Sequence, residues 1–162
     1  MAEKKKNLSE FKSFEFSSAQ NTEIGIVVSE WNDRITDSLL NGAKECLLEH
    51  GILEKNILVK HVPGSFELPL GAKWMLEETG VDAVICIGCI IQGETRHFDF
   101  IAQAVADGIM KVGLKYSRPV IFSVLTCNTM EQAEDRAGGK HGNKGVEGAV
   151  SALKMLDLEN NL

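Results

Sequence analysis

No apolar stretch of the chain reaches the ~18 residues that a membrane-spanning helix requires. The charged N-terminus is not followed by the continuous apolar segment of a secretory signal. Both absences lead us to expect a cytoplasmic protein with no membrane partner. Positive charge is also short. The 17 Lys and Arg against 23 Asp and Glu leave a formal net charge of -6, which argues against a nucleic-acid partner. The one basic run, Lys4-Lys5-Lys6, reads as part of a frayed, solvated tail. Cysteine is confined to Cys46, Cys86, Cys89 and Cys127, which lie inside apolar runs without the spacing of a disulfide framework. Cys86 and Cys89 form a C-x-x-C, but it sits in a strand-like run and has no second ligand pair, so structural thiols are expected and no metal. A Walker-type phosphate loop and a G-x-G-x-x-G after a strand are both missing, which excludes the common nucleotide sites.

What the chain does have is ordinary globular composition, with 44% hydrophobic and 25% charged residues. Its 162 residues suit one domain able to bury a core without staples. From about residue 24, short apolar runs alternate with amphipathic stretches. Strands are expected at 24–28, 56–62, 81–91 and 119–125. Helices are expected between them: one carrying Ile35, Leu39, Ala43, Cys46 and Leu47 up to Gly51, one over 68–79 ending before Gly80, and one over 95–116. The 95–116 helix puts Phe98, Ile101, Ala102, Val105, Ile109 and Val112 on one stripe. A short helix near 129–136, a glycine-rich turn and a helix over 144–158 complete the chain. Strands joined by helices of this length pair in parallel, and apolar residues on both strand faces call for helices on both sides. The expected fold is therefore α/β: a three-layer α/β/α sandwich around a four-stranded parallel sheet, flavodoxin-like in topology. Residues 1–21 read as an N-terminal arm and 22–162 as the single domain. Within the arm, Phe11–Phe16 alternates enough to make a strand, paired at a sheet edge or with a neighbouring subunit.

Ligands of open α/β sheets bind beyond the carboxyl ends of the strands. That rule selects four loops: Ser29–Asn32, Pro63–Glu67, Gln92–His97 and Thr126–Thr129. Gly93, Glu94 and Thr95 stand at a strand-to-helix junction, where free amides, the positive helix end and a hydroxyl can receive an anion; Thr95 can equally be an ordinary N-cap. His97 in the first turn is placed to exchange protons near neutral pH, though an exposed surface histidine has the same spacing. Trp31 and Phe66 can sandwich a planar ring or simply cap the core. Arg136, Lys140 and Lys144 form a basic cluster suited to phosphate. These loops point to an enzyme subunit handling a small phosphorylated substrate. Two binding modules of similar topology fail. The third strand ends Ile91-Gln92-Gly93, without the Asp of a response regulator, and Ser29-Glu30-Trp31-Asn32 is not the Ser/Thr-rich phosphate loop of a flavodoxin.

Four motifs, in order, carry a resemblance: Trp31-Asn32, Pro63–Glu67 (PGSFE), Gly88–Phe98 (GCIIQGETRHF) and Asp135–Gly145 (DRAGGKHGNKG). Over about residues 22–158 the chain resembles the lumazine synthase family, in which the aromatic at Trp31 is often Phe and the position of Cys89 is often small. The resemblance implies condensation of 5-amino-6-(D-ribitylamino)uracil with 3,4-dihydroxy-2-butanone 4-phosphate to 6,7-dimethyl-8-ribityllumazine, the penultimate step of riboflavin biosynthesis. It implies no cofactor. By motif, Trp31 would stack on the pyrimidine, with Asn32 beside it, and Ser65, Phe66 and Glu67 would hold the ribityl chain and ring edge. Cys89, Ile90 and Ile91 would run along the pyrimidine. Gly93, Glu94 and Thr95 would cradle the phosphate, closed by Arg136, and His97 would shuttle protons. Phe122, Arg136 and Lys144 would arrive from a neighbouring subunit. The resemblance further implies pentamers, a sixty-subunit icosahedral shell, an exchanged N-terminal strand and riboflavin synthase as a possible partner. The alternative on the same scaffold is a catalytically silent flavin-binding or shell-forming relative.

Overall fold

The computed structural model describes residues 7–162; Lys4–Lys6 lie outside them. The elements, in chain order, are β1 (Ile24–Ser29), α1 (Asp33–Glu49), β2 (Ile57–Val62), α2 (Leu68–Thr79), β3 (Ala83–Ile91), α3 (His97–Tyr116), β4 (Val120–Cys127), α4 (Met130–Glu134), β5 (Ala137–Gly139), β6 (Gly142–Asn143) and α5 (Lys144–Asn160). The main sheet is parallel throughout, in the order β2-β1-β3-β4. The α/β/α sandwich expected from the alternation is the one observed.

Period-2 alternation along the inner strands divides the core in two. Ile24, Ile26 and Val28 of β1 and Ile85, Ile87 and Cys89 of β3 face α1 and α5. Val27, Val84 and Cys86 face the other way, onto Leu68, Ala72 and Met75 of α2 and Val105 and Ile109 of α3. The C-x-x-C cysteines thus point to opposite faces, which rules out a Cys86–Cys89 disulfide. Both thiols are buried and free, and burial pushes each up to about 12. Gly51 and Gly80, past the ends of α1 and α2, have φ of 87° and 72°, the left-handed conformation that favours glycine.

Several boundaries differ from the sequence reading for local reasons. β3 starts at Ala83 rather than 81, because Asp82 is engaged with Glu23: its amide donates to the Glu23 carbonyl and its carboxylate accepts from the Glu23 amide. α3 starts at His97 rather than 95, because the Gln92 amide donates to the carbonyls of Gly93 and Thr95 and holds them in a loop. β2 is an edge strand with Lys60 and His61 exposed, so it is not apolar on both faces. The glycine-rich turn contains a small antiparallel hairpin, β5–β6. Phe11–Phe16 forms no strand within the described chain. Its Phe16 is buried, its Phe14 packs on the core, and Phe11 and Phe14 lie 5.7 and 5.0 Å from the His50 ring. Upstream, the Leu8 amide donates to the His141 carbonyl and the Asn143 amide to Ser9 Oγ, which ties this segment to the hairpin.

Candidate active site

At the carboxyl ends of β1, β2 and β3 lies a cleft of about 410 Å³, a size suited to a small organic ligand. Its first wall is the turn after β1. The sheet pairing continues past the strand, with the Glu30 and Trp31 amides donating to the carbonyls of Val62 and Pro63. Trp31, held by its backbone, is 71% exposed at the mouth. Asn32 follows in the left-handed conformation (φ 61°, ψ 46°), which asparagine tolerates better than most residues. Its side-chain amide donates to the Cys89 carbonyl at 2.9 Å, tying the end of β1 to the end of β3.

The second wall is the 3-10 turn Ser65–Glu67, which follows β2 and leads into α2. Phe66 is 57% exposed and stands with Trp31 at the opening, while Ser65 is buried and its hydroxyl has no hydrogen-bond partner among the described residues. Cys89, Ile90 and Ile91 form the apolar floor, and the third wall is Gly93, Thr95, His97, Phe98 and Ile101. His97 opens α3, its amide donating at 3.4 Å to Thr95 Oγ1. Arg96, the N-cap by position, makes no side-chain cap bond, so Thr95 serves as a loose substitute. Among the described residues, the amides of Gly93, Glu94 and Thr95 donate to no protein acceptor. They stand before a 20-residue helix whose dipole favours negative charge there.

Trp31, Asn32, Ser65, Phe66, Glu67, Cys89, Ile90, Ile91, Gly93, Thr95 and His97, all singled out from the sequence, therefore line one cleft. Glu94 is exposed beside it and does not line it. Phe122, Arg136 and Lys144 lie elsewhere. Phe122 is half-buried on β4 opposite Cys86, below the cleft floor. Lys144, at the start of α5, pairs with Glu147 at 3.1 Å. Arg136 lies in a separate groove with Thr129, Glu131, Gln132, Asp135, Lys140 and His141, and its Nη1 donates to the Gln132 carbonyl at 2.8 Å. In that groove the Lys140 ammonium, 2.7 Å away, holds the Asp135 carboxyl below its ordinary range and is itself raised. Arg136 makes no ion pair among the described residues, so its charge remains available. Of the fourth strand-end loop, Thr126–Thr129, Thr129 lines this second groove and no residue lines the cleft. Among the described residues, no group of three or more His, Cys, Asp or Glu could hold a metal ion and no helix is long and apolar enough to cross a membrane.

Phe98 and Ile101, placed on the apolar stripe of the 95–116 helix but not singled out as site residues, also line the cleft, and Ile101 packs against the core as well. The signal was present: α3 begins at the sheet's carboxyl edge, so the first members of its apolar stripe stand beyond the strand ends.

An exposed aromatic pair over an apolar floor, with a histidine and unbonded amides at one end, defines a ligand-binding α/β enzyme site. The comparisons narrow the class. The 6,7-dimethyl-8-ribityllumazine synthase family profile matches residues 21–160. Proteins named 6,7-dimethyl-8-ribityllumazine synthase are 59% identical over 156 residues in Cytophaga hutchinsonii (96% of this chain, 98% of that one) and 52% over 153 residues in Porphyromonas gingivalis (94% and 95%). One from Parabacteroides distasonis is 50% identical over 158 residues (98% and 99%). The chain belongs to the 6,7-dimethyl-8-ribityllumazine synthase family.

Proposed function

We propose that the protein condenses 5-amino-6-(D-ribitylamino)uracil with 3,4-dihydroxy-2-butanone 4-phosphate, releasing phosphate, water and 6,7-dimethyl-8-ribityllumazine. The observation that carries this reading is the single cleft that gathers the aromatic, apolar and His97 elements from three strand ends. The pyrimidine lies between Trp31 and the floor of Cys89, Ile90 and Ile91, with Asn32 at its side. Ser65, Phe66 and Glu67 meet the ribityl chain and ring edge. The phosphate sits on the amides of Gly93, Glu94 and Thr95 at the positive end of α3.

The 5-amino nitrogen attacks the ketone and the carbinolamine loses water to an imine; phosphate is eliminated to leave an enol that tautomerises to a ketone, and the ribitylamino nitrogen closes the ring onto that carbonyl with loss of a second water. His97, at the phosphate end, takes and returns the protons these steps move. Holding the two reactants in contact supplies much of the acceleration, up to ~7–11 kcal/mol for well-oriented partners. Phe122, Arg136 and Lys144 complete the site from a neighbouring subunit, which fits their distance from the cleft in their own chain. A second copy also accounts for the exposed apolar side chains Trp74, Phe100, Met110 and Leu114, each more than half exposed on α2 and α3. The assembly is a pentamer, built further into an icosahedral shell in the cytoplasm, with the exposed side of the Phe11–Phe16 segment meeting a neighbour and riboflavin synthase a candidate partner.

The test mixes purified protein with both substrates and follows the lumazine chromophore against an uncatalysed control. Acceleration that weakens in His97→Ala supports the reaction and its proton shuttle. No acceleration transfers the reading to a silent flavin-binding or shell-forming relative.

A further inference from the structure

Gly88 lies immediately before the cleft floor on β3 and lines nothing itself. By strand parity it shares the face of Val84, Cys86 and Ile90, towards α2 and α3. Its φ is not positive, so a larger residue could adopt its backbone. The constraint is space. A β carbon at Gly88 would stand 2.6 Å from Ser65 Oγ, 3.0 Å from Leu68 Cδ1 and 3.3 Å from Ser65 Cβ. The turn bearing Ser65, Phe66 and Glu67 is therefore seated on the strand at the one point where the strand has no side chain. Ser65 gives up hydrogen bonding to sit there, since its buried hydroxyl has no partner among the described residues.

Resting on the proposed function, we infer that Gly88 is a positioning residue: its missing side chain sets how deep the Ser65–Glu67 turn sinks, and hence the spacing between Phe66, Glu67 and the floor that the pyrimidine must fit. A methyl group at Gly88 lifts the turn by pressing on Ser65. The loop Gly93–Thr95 is held separately, through Gln92, and is not displaced. Only the pyrimidine side of the site then suffers.

The experiment measures calorimetric binding of the pyrimidine substrate alone, and steady-state KM for each substrate, on the full chain and on Gly88→Ala. Pyrimidine affinity should fall by about tenfold or more, since misplacement of this order is costly, while KM for the phosphorylated ketone stays within about twofold. Adding Ser65→Ala to Gly88→Ala removes the nearest clash and should bring affinity back up to that of Ser65→Ala alone, which a merely destabilised strand would not do. Unaltered pyrimidine binding in Gly88→Ala overturns the inference alone. So does equal weakening of both substrates without rescue. If Gly88→Ala does not fold, Ser65→Val overfills the same gap from the turn's side and must weaken pyrimidine binding well beyond Ser65→Ala; equal binding in the two variants overturns the inference. If the unmodified protein binds no pyrimidine, the reading of the cleft falls and this inference with it.

Discussion

His97 and Arg136 make separable predictions, because one lines the cleft and the other stands apart from it in its own chain. General acid–base groups contribute roughly 10²–10⁴-fold, so His97→Ala should lower kcat within that range without abolishing turnover; unchanged kcat in a steady-state assay removes the proton-transfer role. Arg136→Ala should instead raise KM for the phosphorylated ketone and leave pyrimidine binding nearly intact, and an unaltered KM would remove the phosphate role. The sequence made the first residue easier to place than the second. His97 follows a strand end closely, and strand ends converge by the geometry of the fold. Arg136 lies in the turn between α4 and β5 and Lys144 starts α5, both beyond β4; their basic cluster was visible, but only the motif resemblance tied it to the cleft. Ser65 was legible as a cleft residue. That its hydroxyl turns away from solvent towards Gly88 was not, because the close seat of a turn on a strand leaves no periodic trace.

Among the elements, the joint between α1 and α5 depends on Asn143. Its Oδ1 accepts from the amides of Gly145 (2.8 Å) and Val146 (3.4 Å), capping α5, and its Nδ2 donates to the Ser38 carbonyl of α1 at 3.0 Å. Gly145 follows against α1, where a β carbon would overlap the Leu39 carbonyl. Asn143→Ala removes the cap and leaves buried groups unpaired, so urea denaturation should show a loss of about 1–2 kcal/mol; a loss indistinguishable from zero would mean that water replaces the amide. The four strands were legible as short continuous apolar runs, the trace that burial on both sheet faces leaves, and the long helices from period-3.6 patterning. β5–β6 was not legible, because a short glycine-rich ladder has too few side chains to alternate. Phe11–Phe16 did alternate, yet within the chain its aromatics meet the core and His50 without a ladder.

At the scale of the whole molecule, the proposed division of the site between chains predicts complementation. In the proposed pentamers, assembled from equal amounts of His97→Ala and Arg136→Ala subunits, about a quarter of the sites regain both residues. Co-expressed mixtures should recover about that fraction of wild-type turnover, whereas a site built within one chain would recover none. Alkaline stability follows from the thiols. Burial pushes Cys46 up to about 11, with Glu49 adding to it, and Cys86 and Cys89 to about 12, from an ordinary value of 9.0. Folding thus favours the protonated forms. That stability is fully present below pH 9 and is lost as pH rises towards 12. Denaturation midpoints should fall across this window, and less steeply in Cys86→Ala; an equal slope would show that other groups control the decline.

The same four thiols give the molecule a clock. All are buried, so a thiol-reactive dye can label only chains that have opened. Cys86 sits in the α2–α3 layer, whereas Cys46, Cys89 and Cys127 sit in the α1–α5 layer. The order in which labels accumulate by mass therefore records which side of the sheet lets go first. One dye followed later by three means the two layers part separately, and four together means they open as one.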